Sequence, residues 1–481
     1  MSLSQEFEKL DRVPWKRYGC GEIPEVFRAL VSTDTDRSDG AIEELYGLLL
    51  DQETVSLATV QAVPFVARLV VAGHRTSALL YFLGRVAAAD DDVDIPPGSA
   101  RESVAEQLPL LLPLLGHRDA EVRQLAVWAV AQCRSPEASW TAMKNRWVVE
   151  LDPRVKGDLL LGCVLVDRVA TQSLVTEALS PDQPDQVQIS ALVASLDTGL
   201  AWNPQSTATA VSLLPASKRI GQTPWLHDPF PEIVQRLLKR GELNNAVDLV
   251  VAALSIERLD RADARKEGLW GADKVGERHP EVRVHLLSAM LPLVEDPGTA
   301  VVRLVNTWRK EDRSIEQVLM ELASKEGDVI ADRALALLIN LDVAQASALL
   351  ARNLPQRPRA LAATVASEAG GRIRYVRPIA CTPELLKAIR TRLVAEDVSE
   401  TEAGYLLGIL ERWGPAAHSA IPELMATLSR FPRRGPGVLA SVATGTEEDR
   451  AAVVDALRAA VDRGDGGPAA VQALLELTRR D

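Results

Sequence analysis

The segment Leu108 to Cys133, LPLLLPLLGHRDAEVRQLAVWAVAQC, constrains the fold more than any other part of the chain. It reads as an apolar helix, a short polar turn, and a second helix that opens on Asp119 and carries Val122 and Arg123. Two antiparallel helices of this kind leave an apolar stripe open, so a chain that keeps making them must stack them into one continuous core. Length alone does not decide the matter, since 481 residues would equally suit about three globular domains.

Composition and local signals favour the stack. Hydrophobic residues make up 47% of the chain and aromatics only 4%, so the core is built from Leu, Val, Ala and Ile, which suit close helix packing. A capping residue followed by proline occurs at Ser135-Pro136, Asp152-Pro153, Asn203-Pro204, Asp228-Pro229, Asp296-Pro297 and Thr382-Pro383. Each marks an expected helix start, because the side-chain oxygen accepts an orphan N–H where proline needs none. Between starts the apolar spacing is helical, as in Ile42, Leu45, Leu48 and Leu49 or Leu335, Leu337, Leu338 and Leu341, and alternating strand patterns are scarce. The expected fold is all-α, an α-solenoid of stacked antiparallel helix pairs, roughly eleven or twelve of about 40 residues each.

Asp119-Ala-Glu-Val122-Arg123-Gln-Leu-Ala126 resembles the second-helix signature of HEAT repeats, and His279-Pro280-Glu281-Val282-Arg283 repeats it with His in place of the acid. Ala62-Val63-Pro64-Phe65 and GPAAHSAIPELM from Gly414 resemble first helices with an inner proline, and Lys325 to Leu341 is a looser copy with Arg333 shifted by one position. The resemblance implies a HEAT- or armadillo-like superhelix of bacterial type, in which the acid and the Arg of neighbouring repeats form a ladder between turns. HEAT arrays serve as scaffolds, transport receptors and phosphatase subunits and, in a few bacterial branches, as enzymes acting on DNA bases or attaching bilin pigments. The likeness therefore implies a fold without an activity.

The expected organisation is an array over 1–214, a Pro-rich break over 215–231 that bends the chain, and a second array over 232–481. Trp15, Tyr18, Ile23 and Phe27 read as a cover over the first repeat. Ala87 to Ser99 reads as a solvated acidic loop and Arg258 to Pro280 as a charged insertion around Trp270. The last helix, from Pro468, is expected to turn Leu474, Leu475 and Leu477 inward.

Chemistry is sparsely signalled. No phosphate-binding Gly-rich loop, dinucleotide fingerprint, nucleophile elbow or HExxH helix occurs, so no catalytic residue, cofactor or metal ligand is assigned. The nearest histidines, His279 and His285, are six apart and off a common helix face, and His117 reads as a turn residue. Cys20, Cys133, Cys163 and Cys381 are far apart, as expected of buried thiols in a reducing compartment, and with no apolar leader or span visible the expected location is cytoplasmic.

The net charge of -12 makes nucleic acid an unlikely general partner. Arg352 to Arg434 is nonetheless basic, with 13 Lys and Arg against 8 Asp and Glu, and it contains Arg372, Arg374 and Arg377 beside Tyr375. That cluster reads either as an anion or partner contact or as a solvated edge. Trp128 reads as core, and Trp202, Trp225 and Trp270 as pins for irregular segments.

The expected function is that of a non-enzymatic scaffold or adaptor, holding a protein or peptide on its concave surface without a membrane. The alternatives are a HEAT-like enzyme or small-molecule binder, and nucleic-acid association through the Arg cluster.

Overall fold

The structure, a computed structural model, describes residues 3–50, 54–89, 91–92, 95–220, 224–225, 228–255, 261–291, 299–325, 329–341, 344–354, 379–464 and 467–479. The chain divides into two compact units, Met1–Glu267 and Gly268–Asp481. The Pro-rich stretch 215–231 lies inside the first.

The first unit contains α1 (Leu3–Arg12), α2 (Ile23–Leu30), α3 (Thr35–Leu49), α4 (Leu57–Val71), α5 (Thr76–Ala88), α6 (Ser99–Ala105), α7 (Leu108–Leu111), α8 (Ala120–Gln132), α9 (Thr141–Val149), α10 (Pro153–Val166), α11 (Arg168–Ala178), α12 (Asp185–Asp197), α13 (Pro204–Ile220), α14 (Pro229–Lys239) and α15 (Leu243–Leu254). The second helices of successive pairs form one row, α5 on α8, α8 on α10, α10 on α12 and α12 on α14, while α4 packs on α5 and α11 on α12 within their pairs. This is an α-solenoid, each hairpin covering the apolar stripe of the one before. Among the described residues the sole ladder is a two-residue parallel pairing of Thr54–Val55 with Asp91–Asp92.

The row is dry. In α12 every residue from Gln186 to Leu196 is buried, so this helix leaves no face open to a partner. Small side chains make such contact possible, as the core composition suggested.

The second unit follows the same rule. Ser314–Ala323 packs on Val329–Asn340, Glu400–Trp413 on Gly435–Val442, and Gly435–Val442 on Gly467–Thr478. Leu335, Leu337, Leu338 and Leu341 are buried as their spacing requires.

The cap-proline pairs begin helices at Ser135, Asp152, Asn203, Asp228 and Thr382, and Asp296-Pro297 lies outside the described residues. The carboxylate of Asp152 accepts from the N–H groups of Arg154 and Val155, and the Thr382 hydroxyl from that of Leu385.

Three details refine the local expectations. Within the charged 258–280 stretch, Arg261–Arg278 is helical, so Trp270 sits on a helix and not in an irregular segment, and Gly268, Ala272 and Val275 share its buried face. In the Pro-rich stretch, α13 runs past Pro215 to Ile220, and α14 begins at Pro229. In the last helix Ala473 and Leu477 face the core and Leu475 is exposed, since i, i+4 positions share a face and the intervening residue falls opposite.

Candidate functional site

The structure joins the best repeat to the one that follows through a single carboxylate. Asp119 caps α8 by accepting the Glu121 N–H at 2.9 Å, and His117 Nδ1 accepts the Asp119 N–H at 3.1 Å, which keeps the preceding turn closed. Val122 and Arg123 then fall on the buried side of the first turn of α8. Arg123 gives Nη1 to the carbonyls of His117 and Arg118 and extends its fork, Nε at 2.9 Å and Nη2 at 3.0 Å, to the two oxygens of Glu150.

Glu150, just past α9, is the buried hub. Arg146, one helical turn earlier, also donates to it through Nε and Nη2, at 2.9 and 2.7 Å. The N–H groups of Leu151 and Asp152 close on Oε1 at 3.0 and 2.9 Å. Burial is the largest single influence on this carboxyl and pushes its pKa up. Hydrogen bonds from Arg123, the Asp152 N–H and Arg146 together outweigh it and hold the group below its ordinary range. With six donors on two oxygens, Glu150 has no lone pair directed at a substrate and serves geometry rather than proton transfer.

The turn around this hub inverts the usual polarity. On α9, Met143 and Trp147 are spaced by four residues and buried, with Lys156 over the Trp147 ring at 4.8 Å. Val148, Val149 and Leu151 lie off that face and are 74%, 60% and 93% exposed. The charge is inside and the aliphatic side chains are outside, on a backbone pinned at both ends by the Glu150 contacts and the Asp152 cap.

In the second copy of the signature, Val282 is half-buried and Arg283 buried. Arg283 gives Nε to the Gly276 carbonyl at 2.8 Å and Nη2 to Glu311 at 2.6 Å. The acid–arginine ladder implied by the resemblance is thus replaced: Asp119 serves its own helix, and the arginines pair with glutamates that end the next first helix.

Arg372, Arg374, Arg377 and Tyr375 lie outside the described residues. In the described part of that basic segment, Lys387 and Arg390 line a groove of about 780 Å³, and Arg390 pairs with Glu423 at 2.9 Å. Trp202 is buried and donates Nε1 to Thr207 Oγ1 at 2.9 Å, and Trp225 meets Trp128 edge-on with ring centroids 4.9 Å apart. Trp270 belongs to the Arg261–Arg278 helix.

No described group of His, Cys, Asp and Glu has the arrangement of a metal site. Burial pushes the Cys133 and Cys163 thiols up to about 12 and raises those of Cys20 and Cys381, so none of the four is a ready thiolate. No described helix is long and apolar enough to cross a membrane.

Glu150 and the apolar turn match none of the motifs that single out the other site residues. A signal was available in Val148-Val149-Glu150-Leu151, a mostly apolar run directly before a cap-proline pair, where turns are ordinarily polar.

No family model matches the chain, and neither does any curated protein. Among solved structures the chain is similar to the crystal structure of Kap121p bound to Pho4p, at 11% identity and a TM-score of 0.42, covering 93% of this chain and 52% of that one. It is also similar to Kap121p bound to RanGTP, at 14% identity and a TM-score of 0.36, covering 94% and 48%. A third is the karyopherin Kap121p bound to the SUMO protease Ulp1p, at 14% and 0.38, covering 90% and 46%. The chain spans about half the length of these structures.

Proposed function

We propose that this chain is a non-enzymatic interaction scaffold or adaptor for a protein or peptide partner. The observation that carries the reading is the rigid apolar knuckle Val148, Val149 and Leu151, exposed at the turn between α9 and α10. Burying each such side chain is worth about 1.5–3 kcal/mol, so three well-exposed aliphatic side chains within four residues favour a contact site. The Glu150 hub orders the backbone in advance, so a partner meets a surface whose entropy is already spent. With α12 closed on every side, the main contact in this unit falls at the turn between α9 and α10 instead.

The test is capture from lysate with the wild-type chain and with Leu151→Asp, followed by affinity measurement on the recovered companion. The expected result is a companion held at least tenfold more weakly by the variant, while thermal unfolding is unchanged. Recovery of no companion under several salt conditions, or equal binding by both chains, would end the reading.

A further inference from the structure

In the second unit, the helix Pro383–Leu393 forms one wall of a groove of about 780 Å³. Pro383, Leu386, Lys387, Arg390 and Val394 line it at spacings of three and four residues, so they share one face of that helix. The 11 residues of the helix are about 16 Å long, which accommodates about five residues of extended chain. The opposite wall is the stretch 414–426, which contributes Ala416, His418, Ser419 and Glu423.

The charged groups of the groove are not equally engaged. Glu423 is the sole carboxylate among the described lining residues, and Arg390 Nη2 donates to it at 2.9 Å, which joins the two walls and offsets both charges. His418 donates Nδ1–H to the Pro415 carbonyl at 3.3 Å. Lys387 is exposed, and among the described residues its ammonium has no carboxylate and no hydrogen-bond acceptor as partner. The Ser419 hydroxyl likewise makes no hydrogen bond among them. What remains open is one cation and one hydroxyl between apolar ends, Pro383 and the 43% exposed Val394.

That combination selects an occupant. A nucleic-acid strand needs a run of cations for its repeated phosphates, and here it would meet Glu423 in a chain of net charge -12. A free inorganic anion would use the ammonium and leave the apolar ends bare. A carboxylate flanked by aliphatic side chains uses both.

We propose that this groove binds a short extended peptide segment in which one acidic residue is flanked by aliphatic ones. Lys387 and the Ser419 hydroxyl donate to the carboxylate, and Pro383, Leu386 and Val394 take the flanking side chains. The site is separate from the α9–α10 knuckle and stands whether or not that knuckle holds a companion.

Calorimetric titration of the full chain with acetyl-Leu-Ala-Glu-Ala-Leu-amide tests the proposal, beside the same peptide with Gln or Lys at its centre and acetyl-Ser-Ala-Glu-Ala-Ser-amide. The first peptide is expected to bind at least about fivefold more tightly than each of the others, because it alone matches both the ammonium and the apolar ends. Lys387→Gln should bring the glutamate and glutamine peptides to equal affinity without moving the melting temperature, since the side chain is exposed and unpaired. Ala416→Trp, at an exposed position on the opposite wall, should abolish binding of the glutamate peptide, and Leu151→Asp should leave it unchanged, which separates this site from the knuckle. Four results would overturn the proposal: no binding of the glutamate peptide at millimolar concentration, a preference for glutamate that survives Lys387→Gln, full affinity in Ala416→Trp, or tighter binding of inorganic phosphate or oligothymidine than of the peptide.

Discussion

Arg123 in the first unit and Arg283 in the second occupy the same place in their helix signatures, and each reaches a glutamate 27 and 28 residues onward. The two clamps are centred differently. Glu150 is buried, takes two arginines and two backbone N–H groups, and fixes the turn that follows it. Glu311 is 60% exposed in its side chain, and the buried partner there is Arg283, held by the Gly276 carbonyl and lying 5.9 Å from the Trp308 ring centroid. The arginine is the constant part of the motif, and its counter-charge is free to vary in burial. Of the two turns, the one with a buried carboxylate centre carries the protruding apolar knuckle.

The largest expected difference follows from removing each glutamate. Glu150→Ala leaves Arg123 buried without its counter-charge and should cost about 3–5 kcal/mol, whereas Glu311→Ala removes an exposed carboxylate from the buried Arg283 and should cost less, because water can take its place at Nη2. Urea unfolding followed separately for the two units measures both, and similar losses would break the comparison.

Two glycines offer a control in which the units should agree. A Cβ at Gly84 would overlap the Trp128 indole, and one at Gly276 would overlap Trp308. Gly84→Ala and Gly276→Ala are each expected to destabilise by about 1–3 kcal/mol through overpacking, read from the same unfolding curves. A neutral result at either site would mean that its indole moves at little cost.

The helix starts should respond in opposite directions. Asp119→Ala removes a cap and should cost about 1 kcal/mol. His279 makes no side-chain cap bond, so His279→Asp should add about 0.5–1 kcal/mol to the second unit. A melting shift of the same sign in both variants would show that the two starts are not equivalent.

Acid supplies the finest distinction. The Glu150 carboxyl is held below its ordinary value of 4.5, so its contribution to stability is fully present above that pH and is lost as pH falls through the lower folded value. Urea midpoints of the first unit between pH 6 and 3 should therefore fall more steeply for the wild type than for Glu150→Gln. Parallel curves would remove Glu150 from the acid response.

Much of the fold was legible because helix starts are local. Asp152 and Thr382 cap where their proline neighbours indicated, and Arg123 and Arg283 were singled out by a five-residue signature. The partners of those arginines were not legible, since Glu150 and Glu311 lie a whole hairpin away and resemble many other surface acids in the chain. Leu475 shows the same limit on a smaller scale: three nearby leucines cannot all face one core, and the packed neighbour decides which does.

Taken alone, the order of residues determined that helices form, where many of them begin, and that their apolar stripes must be stacked, because capping and 3.6-residue periodicity act within a few residues. Tertiary packing decided which charges became hubs and which apolar side chains stayed outside. Glu150 is buried because Arg123 and Arg146 converge on it, and Leu151 is exposed because that convergence holds the turn outward. Burial depends on what a neighbouring hairpin brings into contact, a relation between distant segments that no local pattern contains.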